Sequence, residues 1–286
     1  MLRTLRAALS RPIGRLSLLT EATSRQAVTS VPDLSGTEEI ETEWGMLILP
    51  SSDEVILPAL RAHLVWEPGE TALIRSWLRA GMTFLDIGAH VGYYTLLASK
   101  SVGSGGLVIA FEPSPRNYEL LLAMVWRNQL TNVVCFPWAV GADNRFVDLY
   151  LDPTNTGDNR VFGSHTEQGS VVVRMAALDA LRVLRPPIDV VKMDVQGFEP
   201  DVVRGMQALL AASPRARVVL EYWPFGLRAL GHDEREVLDY YRSLGYQVQV
   251  QNPEQPGIED LSDDQILEYC SQLDGVLHTN LVLTRP

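Results

Sequence analysis

The stretch "FLDIGAHVGYYTLLAS", Phe84 to Ser99, decides how the rest of the chain is read. An apolar run meets an acid, Asp86, then Gly88, His90 and Gly92, and turns apolar again. That order reads as a buried strand, a glycine-bearing turn and the start of a helix. Helix N-termini present free N–H groups, and glycines let a ligand come close to the backbone. A P-loop carries Lys-Ser/Thr after its last glycine, whereas Tyr93-Tyr94 stand here. A dinucleotide turn reads G-x-G-x-x-G, and His90 occupies its second glycine position. What remains is D-x-G-x-x-x-G. Its carboxylate repels a pyrophosphate and suits an ammonium group or ribose hydroxyls.

The next strand end narrows the ligand. Glu112 closes "GLVIAFEP", 20 residues after Gly92, where a doubly wound sheet offers a carboxylate to ribose hydroxyls. S-adenosylmethionine (SAM) has an ammonium, a sulfonium and a ribose but no phosphate, so it fits both ends. The expected cofactor contacts are Asp86, Gly88, Ala89, His90, Gly92 and Tyr93 at the first turn. Glu112, Pro113 and Ser114 follow at the second, and Asp194 at the fourth strand end. In "FPWAVGADN", Trp138 and Ala139, with Val140, are candidates for an apolar adenine slot.

Around this stretch, strands and helices alternate. "TFLDIG", "GLVIAFEP", "NVVCFPWAV", "IDVVKMDV" and "ARVVLEYW" read as buried strands. Between and after them, "GYYTLLASKSV", "PRNYELLLAMVWRNQL", "AALDALRVLR", "PDVVRGMQALLAAS" and "DEREVLDYYRSLG" read as helices. Such alternation builds a parallel sheet covered on both faces. "YQVQVQ" alternates apolar with polar and belongs at an edge, and "TNLVLT" is the last strand. Upstream, "WGMLILPSSDEVILPAL" reads as two short strands around "SSDE", and "EPGETALIRSWLRAG" as a helix stopped by Gly81. The organisation expected is an accessory region over 1–66, helix plus short hairpin, and a catalytic domain over 67–286. The polar run Asp152–Ser170 reads as a lid or mobile segment over the acceptor.

Composition narrows the partners. The 286 residues carry a formal charge of −11, which disfavours a nucleic-acid substrate. No apolar run is long enough to cross a bilayer, so no membrane insertion is expected. Cys135 and Cys270 have no metal-site spacing and read as free thiols of a cytoplasmic protein. Arg3, Arg6, Arg11, Arg15 and Arg25 face only Glu21 in the first 30 residues, as in a peripheral helix or tail; targeting or membrane-surface contact is the alternative.

The runs "DIGAHVGYYT", "AFEPSPRNYELL" and "KMDVQGFE", in this order, resemble the FkbM family of SAM-dependent methyltransferases. The resemblance covers Glu67 to the C-terminus. It implies a Rossmann-like class I methyltransferase fold, a doubly wound, mostly parallel seven-stranded sheet with an antiparallel last strand. It also implies O-methylation of a small natural product or sugar, the acceptor being a polyketide, sugar or glycan. The chain departs from the family at His90, commonly Asn, and in "DVQGFE", commonly "DVEGHE", where Gln196 and Phe198 replace a carboxylate and an imidazole.

A hydroxyl acceptor must lose a proton during transfer. Asp194 is the first candidate for the base or orienting group, with Glu199 and Glu221 behind it. Burial is expected to raise the Asp194 carboxyl and suit it to base work. The three could offer oxygens to Mg²⁺, but their spacing is no recognised cage and no metal is expected. His90 reads as packing on the cofactor, and His232 and His278 as structural, none of them as a catalytic base. Three alternatives stay open, a nicotinamide-dependent oxidoreductase, a non-catalytic SAM-binding module and a methyltransferase acting on a protein. A homodimer is compatible with the sequence.

Overall fold

A computed structural model of the protein describes residues 33–152, 154–163, 169–181, 184, 186–252, 257–271 and 278–286. The arginine-bearing start, and 153 and 164–168 of the polar run, lie outside the described residues. Leu34–Pro286 make one compact unit.

The centre of this unit is a seven-stranded sheet. Its strands are β3 (Thr83–Ile87), β4 (Leu107–Phe111), β5 (Val133–Phe136), β9 (Val190–Met193), β10 (Arg217–Tyr222), β11 (Gln247–Gln251) and β12 (Thr279–Thr284). They run in the order β11-β12-β10-β9-β3-β4-β5, and β12 alone runs opposite to the other six. The chain winds outward from β3 to β5, then returns to β9 on the other side of β3. The topological switch therefore lies between β3 and β9, where doubly wound sheets bind ligands. Phe84, Leu85, Val191, Val218 and Leu220 are fully buried, as expected for strands covered on both faces. β11 is the edge strand that its alternation predicts.

Four local expectations are corrected. "NVVCFPWAV" is two strands. β5 ends at Phe136, and β6 (Trp138–Val140) joins a separate three-stranded sheet with β7 (Arg145–Tyr150) and β8 (Ser170–Ala176). Pro137 sits at the break, where it has no N–H to donate to a ladder. Over its described residues, "AALDALRVLR" contributes the end of β8 and one 3₁₀ turn, Leu178–Ala180, rather than a helix. Asp179 in that turn accepts from the N–H groups of Ala208 and Leu209, starting the helix Gln207–Ala211. "PDVVRGMQALLAAS" is accordingly two helices, Glu199–Arg204 and Gln207–Ala211. Gly205 separates them, and a Cβ there would stand 1.9 Å from the Gly141 carbonyl oxygen.

The fourth correction is upstream. The hairpin pairs β1 (Thr37–Thr42) with β2 (Gly45–Pro50), and "VILPAL" belongs to helix α1 (Ile56–His63). Asp53 Oδ1 accepts from the N–H groups of Val55, Ile56 and Leu57, which ends the extended run and starts the helix. α2 spans Pro68–Trp77, α3 Tyr93–Val102 and α4 Pro115–Arg127. Asn128, just past α4, both accepts from and donates to the Met46 backbone, so it serves β2 as a substitute strand partner. Leu47, Ile48 and Leu49 share a core with Leu96, Leu97, Leu121 and Met124. Among the described residues, no helix is long and apolar enough to cross a membrane.

Candidate active site

A cavity of about 340 Å³ opens at the carboxyl ends of β3, β4, β9 and β10. The wall at β3 and β4 is built by backbone. Gly88 lies at φ +79°, and a Cβ there would stand 1.9 Å from the Asp194 carbonyl oxygen, so only glycine lets the two strand ends meet. His90 follows at φ +52°, a left-handed conformation that few non-glycine residues adopt. That turn aims the His90 N–H at Glu112 Oε2, 2.8 Å away, while the Ser114 N–H donates to Oε1 at 2.9 Å. Glu112 is thereby fixed by two backbone donors and keeps further acceptor capacity for a diol. Burial pushes its carboxyl up to about 7, against the pull of those N–H bonds.

Gly88, Ala89, His90, Tyr93, Glu112 and Pro113 all face the cavity, as do Trp138, Ala139 and Val140. The three residues of the adenine slot come from β6, beside Phe136, whose ring centroid is 4.8 Å from that of Trp138. Other candidates stand behind the wall. Asp86 is fully buried and does not line the cavity. Its Oδ2 accepts from Thr95 Oγ1 on α3 at 2.6 Å, and burial raises its carboxyl to about 6, with Lys192 pulling the other way. Gly92 starts α3, and Ser114 caps α4 while holding Glu112.

The wall at β9 and β10 is built by charge. Lys192, buried on β9, donates to Asp194 Oδ2 at 3.0 Å and lies 4.9 Å from the Tyr94 ring centre. Gln196 Nε2 donates to Asp194 Oδ1 at 2.8 Å. Burial would raise the Asp194 carboxyl, but the Lys192 ammonium, together with His278 and the Gln196 amide, holds the group below its ordinary value. The expected rise at Asp194 is thus reversed by a lysine two residues before it. Burial alone would lower Lys192, and the carboxylates around it raise it instead.

Glu221, at the end of β10, lines the cavity, and His278 Nδ1 is 3.7 Å from its Oε1. Burial, then the nearby Asp194, Glu199 and Glu67 carboxylates, push Glu221 well above its ordinary value. Glu199 does not line the cavity. Its Oε1 accepts from the Val195 N–H at 3.0 Å and bridges the turn after β9. Of the three acids weighed for proton handling, Asp194 and Glu221 reach the cavity. Among the described residues, no group of three or more His, Cys, Asp or Glu side chains has a metal-binding arrangement.

Several lining residues carried no strong signal. Val55, Ile56 and Leu60 come from α1 and the turn before it, within the region expected to be accessory. Glu67 reaches the cavity at φ +43° and accepts from Tyr94 Oη at 3.0 Å. Asn155, Thr156 and Asn159 bring the first half of the polar run onto the cavity. The run is therefore partly built into the site, and its last residue, Ser170, begins β8. Lys192 did carry a signal, as the one charge within the buried strand "VVKM". At the rim, Trp223 packs near Phe162 and Phe225, with the Arg160 guanidinium 4.9 Å from its ring centre.

The model of the methyltransferase FkbM domain family matches residues 86–248, from the acid of the first turn to β11. The chain belongs to the FkbM methyltransferase domain family. The hexuronic acid methyltransferase AglP of Haloferax volcanii is 29% identical over 125 residues, 42% of this chain. That alignment covers 48% of AglP, so the chain spans about half the length of this relative. A methyltransferase FkbM from Methylobacillus flagellatus is 14% identical, with a TM-score of 0.45 over 71% of this chain and 43% of that one. A SAM-dependent O-methyltransferase from Thermotoga maritima is also 14% identical, with a TM-score of 0.46 over 89% and 88%.

Proposed function

We propose that this FkbM-family protein is a SAM-dependent methyltransferase that O-methylates a hydroxyl of a small natural product or sugar in the cytoplasm. Glu112 carries the reading. A carboxylate held by two backbone N–H groups at the end of β4 has the chemistry to accept a ribose diol and to repel a phosphate. Trp138, Ala139 and Val140 supply an apolar slot for a purine. When bound, SAM supplies an electrophilic methyl group on a sulfonium leaving group. The likeness to a hexuronic acid methyltransferase supports a sugar or related polyol as acceptor. The two buried free cysteines, Cys135 and Cys270, agree with a reducing compartment.

In this reading, the acceptor hydroxyl lies against the charged wall. Asp194, with both oxygens engaged by Lys192 and Gln196, orients rather than abstracts. Glu221, beside His278, takes the proton when it starts as the carboxylate, since burial and neighbouring carboxylates raise its proton affinity. Tight alignment of the hydroxyl is the main contribution asked of the protein.

Calorimetric titration of the full chain with S-adenosylhomocysteine (SAH) and with NAD tests the cofactor. The expected result is saturable SAH binding and none with NAD; NAD binding without SAH binding would sink the proposal. Incubation with radiolabelled SAM and neutral hexosides, hexuronic acids and amino sugars then tests the acceptor, with Asp194→Asn expected to lower turnover tenfold or more.

A further inference from the structure

Three residues far apart in sequence form one hydrogen-bonded chain beside the cofactor turn. His90 Nε2 lies 2.8 Å from Thr156 Oγ1, and Thr156 Oγ1 donates to Asp53 Oδ2 at 2.9 Å. A hydroxyl has one proton. Thr156 gives it to the Asp53 carboxylate, so towards His90 it can only accept. His90 must then carry its proton on Nε2, leaving Nδ1 as an acceptor on a ring that lines the cavity. Burial also disfavours the imidazolium, pushing His90 down to about 4.

The chain joins separate parts of the fold. Asp53 is itself rigid, because its other oxygen caps the start of α1. Asp53 is also buried. Thr156 is held through its carbonyl oxygen by Asn117 Nδ2 of α4 and Asn159 Nδ2, both at 2.9 Å. The backbone of His90 meanwhile fixes Glu112. One residue thus links the carboxylate proposed for the ribose to a carboxylate in the region before the catalytic domain.

We propose that Asp53 and Thr156 are positioning residues of the cofactor site, which set the Nε2–H tautomer of His90 so that Nδ1 accepts a hydrogen bond from an N–H or O–H donor of bound SAM. This deepens the SAM reading above and rests on it. It also places residues before 67 in the machinery of the cofactor site.

Asp53→Asn is the informative variant. The amide keeps an oxygen to cap α1 but presents an NH₂ to Thr156. Thr156 must then accept from residue 53 and donate to His90, which moves the ring proton to Nδ1. Long-range ¹H–¹⁵N spectra of the SAM-free protein read this directly. The wild type is expected as the Nε2–H form and Asp53→Asn as the Nδ1–H form. SAH affinity is expected to fall about five- to tenfold in Asp53→Asn and in Thr156→Val, the loss of one hydrogen bond, and to return in Thr156→Ser. Circular dichroism and thermal melting of each variant confirm that the fold is kept. An unchanged tautomer in Asp53→Asn overturns the proposal, and so does a changed tautomer with unchanged SAH affinity. Failure of the wild type to bind SAH would instead count against the SAM reading itself.

Discussion

The two walls of the cavity hold their carboxylates by different means. At β3 and β4, Glu112 is fixed by the N–H groups of His90 and Ser114, within a turn set by Gly88 and a left-handed His90. At β9 and β10, Asp194, Glu221 and Glu67 gather near one buried ammonium, Lys192, and against one another. The first wall is set by backbone geometry, with one buried carboxylate, Asp86, adding to the rise at Glu112. The second is a balance of charges that a substrate, a proton or a mutation can shift. A site that must recognise a constant cofactor suits the first, and one that must move a proton suits the second.

Removing the ammonium should break this contrast most visibly. Lys192→Met keeps the stem against Tyr94 but leaves Asp194 without its cation. Loss of one partner of a fully buried pair costs about 3–5 kcal/mol, and Asp194 keeps 30% side-chain exposure, so about 2–3 kcal/mol is expected here. Urea unfolding at neutral pH should show a loss of that size, shrinking in acid as the surrounding carboxylates take up protons. A loss below about 1 kcal/mol would mean that the second wall is not held by charge.

The first wall should respond in binding rather than in folding. Glu112→Gln removes the charge but keeps the shape and one acceptor oxygen. Hydrogen bonds to charged groups are worth about 1.5–3 kcal/mol, so SAH affinity should fall roughly ten- to hundredfold by calorimetry. The unfolding free energy should change by only about 1 kcal/mol. A stability loss matching that of Lys192→Met would erase the distinction between the walls.

The same contrast explains what the sequence disclosed. Gly88, Gly92 and Glu112 are bound to local turn geometry, and their order along the chain carries that geometry, so the first wall was readable. The strands of the sheet were readable for a related reason, since the apolar runs of the central strands and the alternation of β11 each report their own burial. The second wall depends on long-range neighbours. Glu67 and His278 meet only after the sheet has formed, and the sequence places them more than 200 residues apart. Asp194 could be located from its strand end, but its ionisation follows from Lys192, and the expectation at that group was reversed. Thr156 and Asp53 were unreadable, because a threonine in a polar loop and an aspartate in a turn look alike whether or not they meet. His90, Gln196 and Glu67 share one more property. All three adopt positive φ without being glycine, and all three line the cavity. Backbone strain of this kind is concentrated where the surrounding fold holds it in place.

Glu199 gives the finest test, because it belongs to neither wall. It sits behind the cavity, with Oε1 on the Val195 N–H and Oε2 without a hydrogen-bond partner among the described residues. Burial raises its carboxyl from the ordinary 4.5 to about 8. The folded protein therefore keeps this proton up to about pH 8, whereas the unfolded chain releases it near its ordinary value. Stability from this group is complete in acid and is lost as pH rises from about 5 through 8, at up to about 1.4 kcal/mol per pH unit. Glu199→Gln cannot ionise in either state and still offers an oxygen to Val195. Its unfolding free energy should therefore change less between pH 6 and pH 7 than that of the wild type, by about 1 kcal/mol. SAH affinity should stay within about twofold, because Glu199 does not reach the cavity. An equal pH slope in both proteins would show that Glu199 ionises freely. A large loss of SAH affinity would instead move Glu199 into the binding site.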